Sequence, residues 1–140
     1  MPNPPSSPSD PIVAAIFNTS PDLVDLVRRA FEPAGIVTVS VLTHQIREGA
    51  VNLEAFIRQH DPRVIVYDIA PPYDANWALF QHVSRMDVMR GREYVVTSAN
   101  SKHVESLAAG QPVYEIVGKP YDLDRLVHAV KEASRARPTR

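Results

Sequence analysis

The sequence predicts an α/β fold in which helices cover both faces of a parallel sheet. Short β-branched segments alternate along the chain with segments whose apolar residues recur at helical spacing. Prolines and aspartates, such as Asp61-Pro62 and Pro71-Pro72, separate the two kinds of segment. This alternation is typical of parallel strands joined by right-handed crossover helices. We therefore expect a doubly wound sheet of five strands with five helices around it.

The strands are predicted from short runs rich in valine and isoleucine. They cover residues 12–17, 36–41, 63–69, 93–97 and 112–117. For five such units the commonest strand order is 2-1-3-4-5, the flavodoxin-like (βα)5 arrangement, which puts the third strand at the centre. The residues that we expect to be almost fully buried are Ile16, Val64, Ile65, Val66, Val95, Val96 and Val117.

The helices are predicted from capping residues and apolar stripes. Ser20, Asp74 and Asp122 are the predicted N-caps of the first, third and fifth helices, and Pro21 takes the first helical position. The second helix is expected over Thr43 to His60, although Gly49 weakens its first half. The short fourth helix should end at Gly110. Apolar stripes are expected at Leu23, Leu26, Val27, Ala30 and Phe31; at Ile46, Ala50, Leu53 and Ile57; at Trp77, Phe80 and Val83; and at Leu123, Leu126, Val127 and Val130.

Composition favours one cytoplasmic domain. Of 140 residues, 44% are hydrophobic, the net charge is −1 and there is no cysteine. These values predict neither a nucleic-acid nor a membrane surface, and no disulfides. No apolar run approaches the ~20 residues of a membrane span, and the first residues do not resemble a signal peptide. We expect a domain over residues 11–134, a disordered tail over 1–10 and a flexible, basic tail over 135–140.

Three polar residues end strands at the edge where parallel sheets bind ligands. Asp68 ends the third strand, Thr97 ends the fourth, and Lys119 follows the fifth. A carboxylate that accepts a phosphoryl group needs a hydroxyl and a cation to stabilise the arriving oxygens, and these residues offer both. We therefore expect Asp68 to be a nucleophile that forms an acyl phosphate. The alternative is that Asp68 only caps a turn or the next helix.

The order of these three residues along the strands gives the chain a resemblance to the receiver domain of two-component response regulators, over roughly residues 11–134. The marks are Asp68, Pro72 four residues later, the segment 95–99 (Val-Val-Thr-Ser-Ala), and Lys119-Pro120-Tyr121. The resemblance implies that Asp68 is the phosphoacceptor, assisted by Thr97 and Lys119, and that the Lys119–Pro120 bond is cis. It also implies a sensor histidine kinase or another signalling protein as partner, and a homodimer through the face of the fourth and fifth helices.

Two departures mark the chain as an atypical receiver. Receivers carry an acidic pair after the first strand that holds Mg²⁺, whereas this chain has Asn18 and Thr19 there. Receivers often have an aromatic residue three positions before the lysine, whereas this chain has Ile116, with Tyr114 two residues earlier. Asp68 and Asn18 are therefore weak metal candidates, and we expect no cofactor beyond weakly bound Mg²⁺.

The expected function is a stand-alone receiver domain in a two-component phosphorelay, with no enzymatic turnover and weakened Mg²⁺ dependence. Two alternatives stay open. One is a small flavodoxin-like protein that binds a ligand or cofactor in the same crevice. The other is an interaction module that works without phosphorylation. No glycine-rich phosphate loop or paired histidines favour the ligand-binding alternative, and binding of a nucleotide, flavin or cobalamin would test it.

Overall fold

The computed structural model describes residues 11–110, 113, 115–118 and 122–136. Five parallel strands form one sheet in the order β2-β1-β3-β4-β5, which confirms the predicted fold class. The strands are β1 (Ile12–Asn18), β2 (Ile36–Leu42), β3 (Val64–Ile69), β4 (Glu93–Ser98) and β5 (Glu115–Gly118). β3 is therefore the central strand, and its carboxyl end opens between those of β1 and β4.

Six α-helices connect or flank these strands among the described residues. They are α1 (Pro21–Phe31), α2 (Thr43–Arg47), α3 (Leu53–His60), α4 (Tyr73–Ser84), α5 (Ser101–Leu107) and α6 (Leu123–Arg135). Short 3-10 turns cover Glu32–Ala34 and Asp87–Met89. The helix α6 includes Arg135, the first residue of the predicted tail. Residues 1–10 and 137–140, and the tail predictions made for them, lie outside the described part.

Two apolar layers hold the helices on opposite faces of the sheet, because successive strand side chains point to opposite faces. Ile16, Val64, Val66 and Val95 pack with α1 and α6 on one face. On the other face, an aromatic layer packs with α3, α4 and α5. Its main members are Phe17, Tyr67, Trp77, Phe80 and Tyr94. All seven strand residues predicted to be buried are at most 3% exposed.

The second helix is not continuous, which corrects the prediction of one helix from Thr43 to His60. α2 ends at Arg47, and Gly49 adopts a left-handed backbone with φ of 71°. Asn52 then caps α3 by accepting a hydrogen bond from the Ala55 amide at 3.0 Å. Glycine takes this backbone conformation without steric cost, and asparagine favours an N-cap. The two residues therefore outweigh the helical spacing, and Ala50 is exposed.

Three further details differ from the sequence prediction. α5 ends at Leu107 and not at Gly110. Leu26 on α1 is 43% exposed, because the buried line of that helix runs through Val24, Val27 and Phe31. Asp74 does not cap α4, since Pro72 occupies the N-cap position and Asp74 lies within the first turn. The predicted N-caps Ser20 and Asp122 are confirmed, with hydrogen bonds from the amides of Leu23 and Arg125.

None of the helices in the described part of the chain is both long enough and apolar enough to cross a bilayer.

Candidate phosphoacceptor site

Three buried polar residues form a row across the carboxyl edge of the sheet. Asp68 on β3 is in register with Thr97 on β4. Asn18 and Asp68 directly follow the paired residues Phe17 and Tyr67 of β1 and β3. The alternation of side chains places Asn18, Asp68 and Thr97 on the α1 and α6 face of the sheet. The parallel register therefore brings residues from three strands to one place.

The hydroxyl of Thr97 donates a hydrogen bond to Oδ1 of Asp68 over 2.7 Å. The two residues are 1% and 2% exposed. A hydrogen bond to a charged group contributes about 1.5–3 kcal/mol of net stability. The contact also fixes the side-chain rotamer of Asp68, because Thr97 on β4 holds one of the two carboxylate oxygens. Of the three predicted site residues, the structure thus brings two into direct contact.

Lys119, the third predicted site residue, lies outside the described part of the chain, as do Tyr114, Tyr121 and the Lys119–Pro120 bond. β5 nevertheless carries the chain to the carboxyl edge, because Gly118 pairs with Ser98 and Val117 pairs with Thr97. The role of Lys119 therefore stays a prediction.

Asn18 shapes the turn after β1 and does so with its side chain. Its Oδ1 accepts a hydrogen bond from the Ser20 amide over 3.1 Å, and the residue is 2% exposed. Asparagine stabilises turns in this way because its carbonyl replaces a backbone acceptor two residues before the donor. Ser20 then caps α1. Asn18, which stands at the position of the receivers' acidic pair, is therefore a neutral amide whose oxygen is hydrogen-bonded to the backbone.

The loop after Asp68 is held by hydrogen bonds from Asn76, Arg47 and Ser98. Nδ2 of Asn76 donates to the carbonyl of Ala70 over 2.6 Å, and Arg47 donates to Oδ1 of Asn76. Ser98 donates from its buried hydroxyl to the carbonyl of Ile69 over 3.0 Å. These contacts join α2, α4 and β4 to the loop. Only Ser98, which follows Thr97, carried a sequence signal.

The donor set fits Mg²⁺ poorly. Mg²⁺ takes near-octahedral oxygen ligands and is usually held by one or two carboxylates. The row contains a single carboxylate, Asp68, while the oxygens of Asn18 and Ala70 accept hydrogen bonds from Ser20 and Asn76. The described residues contain no cluster of three or more acidic or histidine side chains that could hold a metal. Asp22, the acidic residue closest in sequence to Asn18, lies in the first turn of α1.

Burial changes the acidity of two tyrosines in the aromatic layer. It raises the pKa of Tyr67 well above its usual range, an effect that the charge of Arg47 partly offsets. Burial also raises the pKa of Tyr94 to about 12, and the hydroxyl of that residue donates to the Met89 carbonyl over 3.2 Å. Both phenols are therefore neutral parts of the core, and neither is a candidate base at neutral pH.

Stability should fall at alkaline pH because of these phenols. Because the pKa is higher in the folded state, the unfolded chain loses its phenolic proton at lower pH. For Tyr94, the free energy of unfolding should therefore begin to fall near pH 10 and continue to fall until about pH 12. Each such tyrosine lowers the free energy of unfolding by about 1.4 kcal/mol per pH unit in this window. Tyr94→Phe should reduce the loss between about pH 9 and 11 by ~1.4 kcal/mol. Urea unfolding at both pH values checks this. An unchanged loss in Tyr94→Phe, or an equal reduction in Tyr73→Phe, would contradict it.

Comparison with known proteins adds structural neighbours only, since neither a protein-family model nor a curated protein matches the sequence. A sensor protein from Polaromonas sp. JS666 is 23% identical with a TM-score of 0.70, covering 88% of this chain and 95% of its own. A response regulator from Thermotoga maritima is 17% identical with a TM-score of 0.70, covering 91% and 100%. A receiver domain (CheY-like) from Methylobacillus flagellatus is 14% identical with a TM-score of 0.69, covering 89% and 99%.

These neighbours match nearly the whole chain at low identity. The chain therefore has the fold of response regulator receiver domains.

Proposed function

We propose that this protein is a receiver-type signalling module that accepts a phosphoryl group on Asp68. The observation that carries the proposal is the buried hydrogen bond between Thr97 and Asp68 at the carboxyl end of the central strand. A carboxylate at this strand end, oriented by a hydroxyl, has the arrangement that a nucleophile for phosphoryl transfer needs. The ligand-binding alternative gains no comparable contact from the described residues.

The transfer follows from the chemistry of a carboxylate nucleophile. A carboxylate oxygen of Asp68 attacks the phosphorus of a phosphohistidine or of a small acyl phosphate. The new oxygen–phosphorus bond forms an acyl phosphate, while the bond from phosphorus to the donor breaks and its electron pair leaves with the donor. Thr97 lies close enough to donate its hydroxyl to a phosphoryl oxygen. We assign the offsetting positive charge to Lys119, on the strength of its place after β5.

Transfer should be slow and depend only weakly on Mg²⁺. A divalent ion normally neutralises charge that develops on the transferring group. Asn18 supplies no charge for that ion, so Lys119 remains the main proposed counter-charge. The protein would then act as a signalling partner without turnover, supplied by a sensor histidine kinase in the cytoplasm, with the face of α5 and α6 available for a homodimer.

Intact mass spectrometry with a small phosphodonor tests this function. Wild-type protein incubated with excess acetyl phosphate should gain one phosphoryl mass over hours, with similar rates in Mg²⁺ and in a chelator. Hydroxylamine attacks the carbonyl of an acyl phosphate, so it should release the phosphate and leave a hydroxamate on the peptide that contains Asp68. If wild type gains no mass under excess donor, the domain is a phosphorylation-independent binding module.

A further inference from the structure

A basic pocket lies at the opposite edge of the sheet from Asp68. It opens beside the amino ends of β3 and β4 and has a volume of about 290 Å³. Its lining residues are Asp61, Pro62, Arg63, Arg90, Gly91 and Arg92. Three arginines thus line this space together with one acidic residue, Asp61. The candidate phosphoacceptor site uses none of these residues.

Arg63 is fixed in place by both its backbone and its side chain. Its amide donates to the carbonyl of Val13 over 2.9 Å, and its carbonyl accepts from the amide of Glu93 over 3.1 Å. Its guanidinium donates to the carbonyl of Gly91 over 2.8 Å and also to the carbonyl of Ala136. Carbonyl acceptors hold the group without cancelling its charge, and a guanidinium has five N–H donors.

Arg92 is held in the same manner. Its Nε donates to the carbonyl of Val88 over 3.0 Å, and Nη1 donates to the carbonyl of Pro62 over 2.7 Å. Nη1 also contacts Oδ1 of Asp61 over 2.8 Å, and the side chain of Arg92 is only 14% exposed. A guanidinium immobilised before binding loses little rotamer freedom when an anion arrives.

The residues that line the pocket carry three positive charges and one negative charge. The carboxylate of Asp61 is 81% exposed, so solvent screens much of its charge. Arg90 stands at the rim, 82% exposed, with its Nη2 3.4 Å from Asp87. A long, exposed arginine over two fixed ones can close on a bound anion. Among the residues that the structure describes, no aromatic side chain lines the pocket.

We propose that this pocket binds a small phosphate-bearing anion through Arg63, Arg90 and Arg92. Planar guanidinium groups match phosphate oxygens with paired hydrogen bonds. The volume admits a phosphate or diphosphate group. The proposal is independent of phosphoryl transfer at Asp68, because the two sites lie at opposite edges of the sheet.

The probe is pyrophosphate in the absence of divalent metal. Its binding is monitored by NMR titration of the isotope-labelled protein. We expect saturable shifts in the backbone signals of Asp61, Gly91 and Arg92. Arg90→Gln should weaken binding about fivefold, as expected for one rim contact to an anion. The side chain of Arg90 is 82% exposed and pairs with an exposed carboxylate, so this variant should fold, whereas variants of Arg63 or Arg92 would remove structural bonds as well.

Arg58→Gln is the matched control. It makes the same change in charge on α3, where Arg58 is 67% exposed and pairs with Glu54, and it should leave the affinity unchanged. The proposal is overturned if no signal saturates, if the shifts centre on Asp68 and Thr97, or if the two variants weaken binding equally.

Discussion

Asp68→Asn should abolish the gain of phosphoryl mass from acetyl phosphate while leaving the protein folded. Asparagine removes the nucleophilic carboxylate but keeps an oxygen that can accept the hydrogen bond from Thr97, which now spans 2.7 Å. Loss of a buried charge also limits the cost to folding. The variant should therefore unfold cooperatively in urea near the wild-type midpoint, and its mass should stay constant with excess donor.

Asp74→Asn is the control for this change. Asp74 is 78% exposed on α4 and pairs with His103 at 2.8 Å, so its loss removes a carboxylate near the same edge without touching the row. The control should gain mass at the wild-type rate. If Asp68→Asn still gains the phosphoryl mass, the acceptor is another residue and the assignment of the site is wrong.

Thr97→Val separates orientation of the carboxylate from its presence. Valine keeps the shape of the side chain but leaves Oδ1 of Asp68 without its hydroxyl donor. The free energy of unfolding should fall by about 1.5–3 kcal/mol. Phosphoryl gain should slow by about a hundredfold, a typical effect of removing one donor to a developing charge. Thr97→Ser keeps the hydroxyl and should restore most of the rate.

Asn18→Asp should convert the row into a Mg²⁺ site, with a large effect on stability. The new carboxylate would be buried beside Asp68, since residue 18 is only 2% exposed. Like charges in a buried site repel, so without metal the variant should lose about 1–3 kcal/mol. A divalent ion bound by two carboxylates would reverse that loss, because a ligand that binds only the folded state stabilises it.

Thermal unfolding with increasing Mg²⁺ checks this prediction. The melting temperature of Asn18→Asp should rise with Mg²⁺, while that of wild type should stay flat up to about 10 mM, as expected for millimolar-scale binding at most. Asn52→Asp makes the same substitution at the exposed cap of α3 and should also stay flat. If Mg²⁺ stabilises wild type as strongly as Asn18→Asp, the ligands lie elsewhere, and Asp22 and Asp74 are the first to test.

The strand pattern predicted the sheet well because buried parallel strands need continuous apolar runs. Strand order, the central place of β3 and the meeting of Asp68 with Thr97 follow from those runs and from the strand ends. The helices were less predictable. Helical spacing alone could not show that the left-handed Gly49 breaks the second helix, or that Leu26 lies off the buried line of α1.

Long-range side-chain contacts were beyond prediction from sequence. Asn76 lies six residues after Ala70, and Arg47 lies 29 residues before Asn76. Their hydrogen bonds depend on how α2 and α4 approach the loop after β3. No local periodicity encodes that approach, since Arg47 and Asn76 are otherwise ordinary helical positions. The pocket formed by Arg63 and Arg92 is of the same kind, because its shape depends on carbonyl groups distant in sequence.

The sheet separates two apolar layers, so the layer that holds a fluorophore determines whether its emission responds to modification of Asp68. Trp77 is the single tryptophan of the chain and belongs to the aromatic layer, with its ring centroid 4.9 Å from that of Phe80. The polar row of Asp68 and Thr97 faces the other layer, under α1 and α6. Intrinsic tryptophan emission should therefore follow unfolding faithfully and respond little to modification of Asp68. A fluorophore that monitors the phosphorylated state belongs on α6, on the same side of the sheet as the carboxylate.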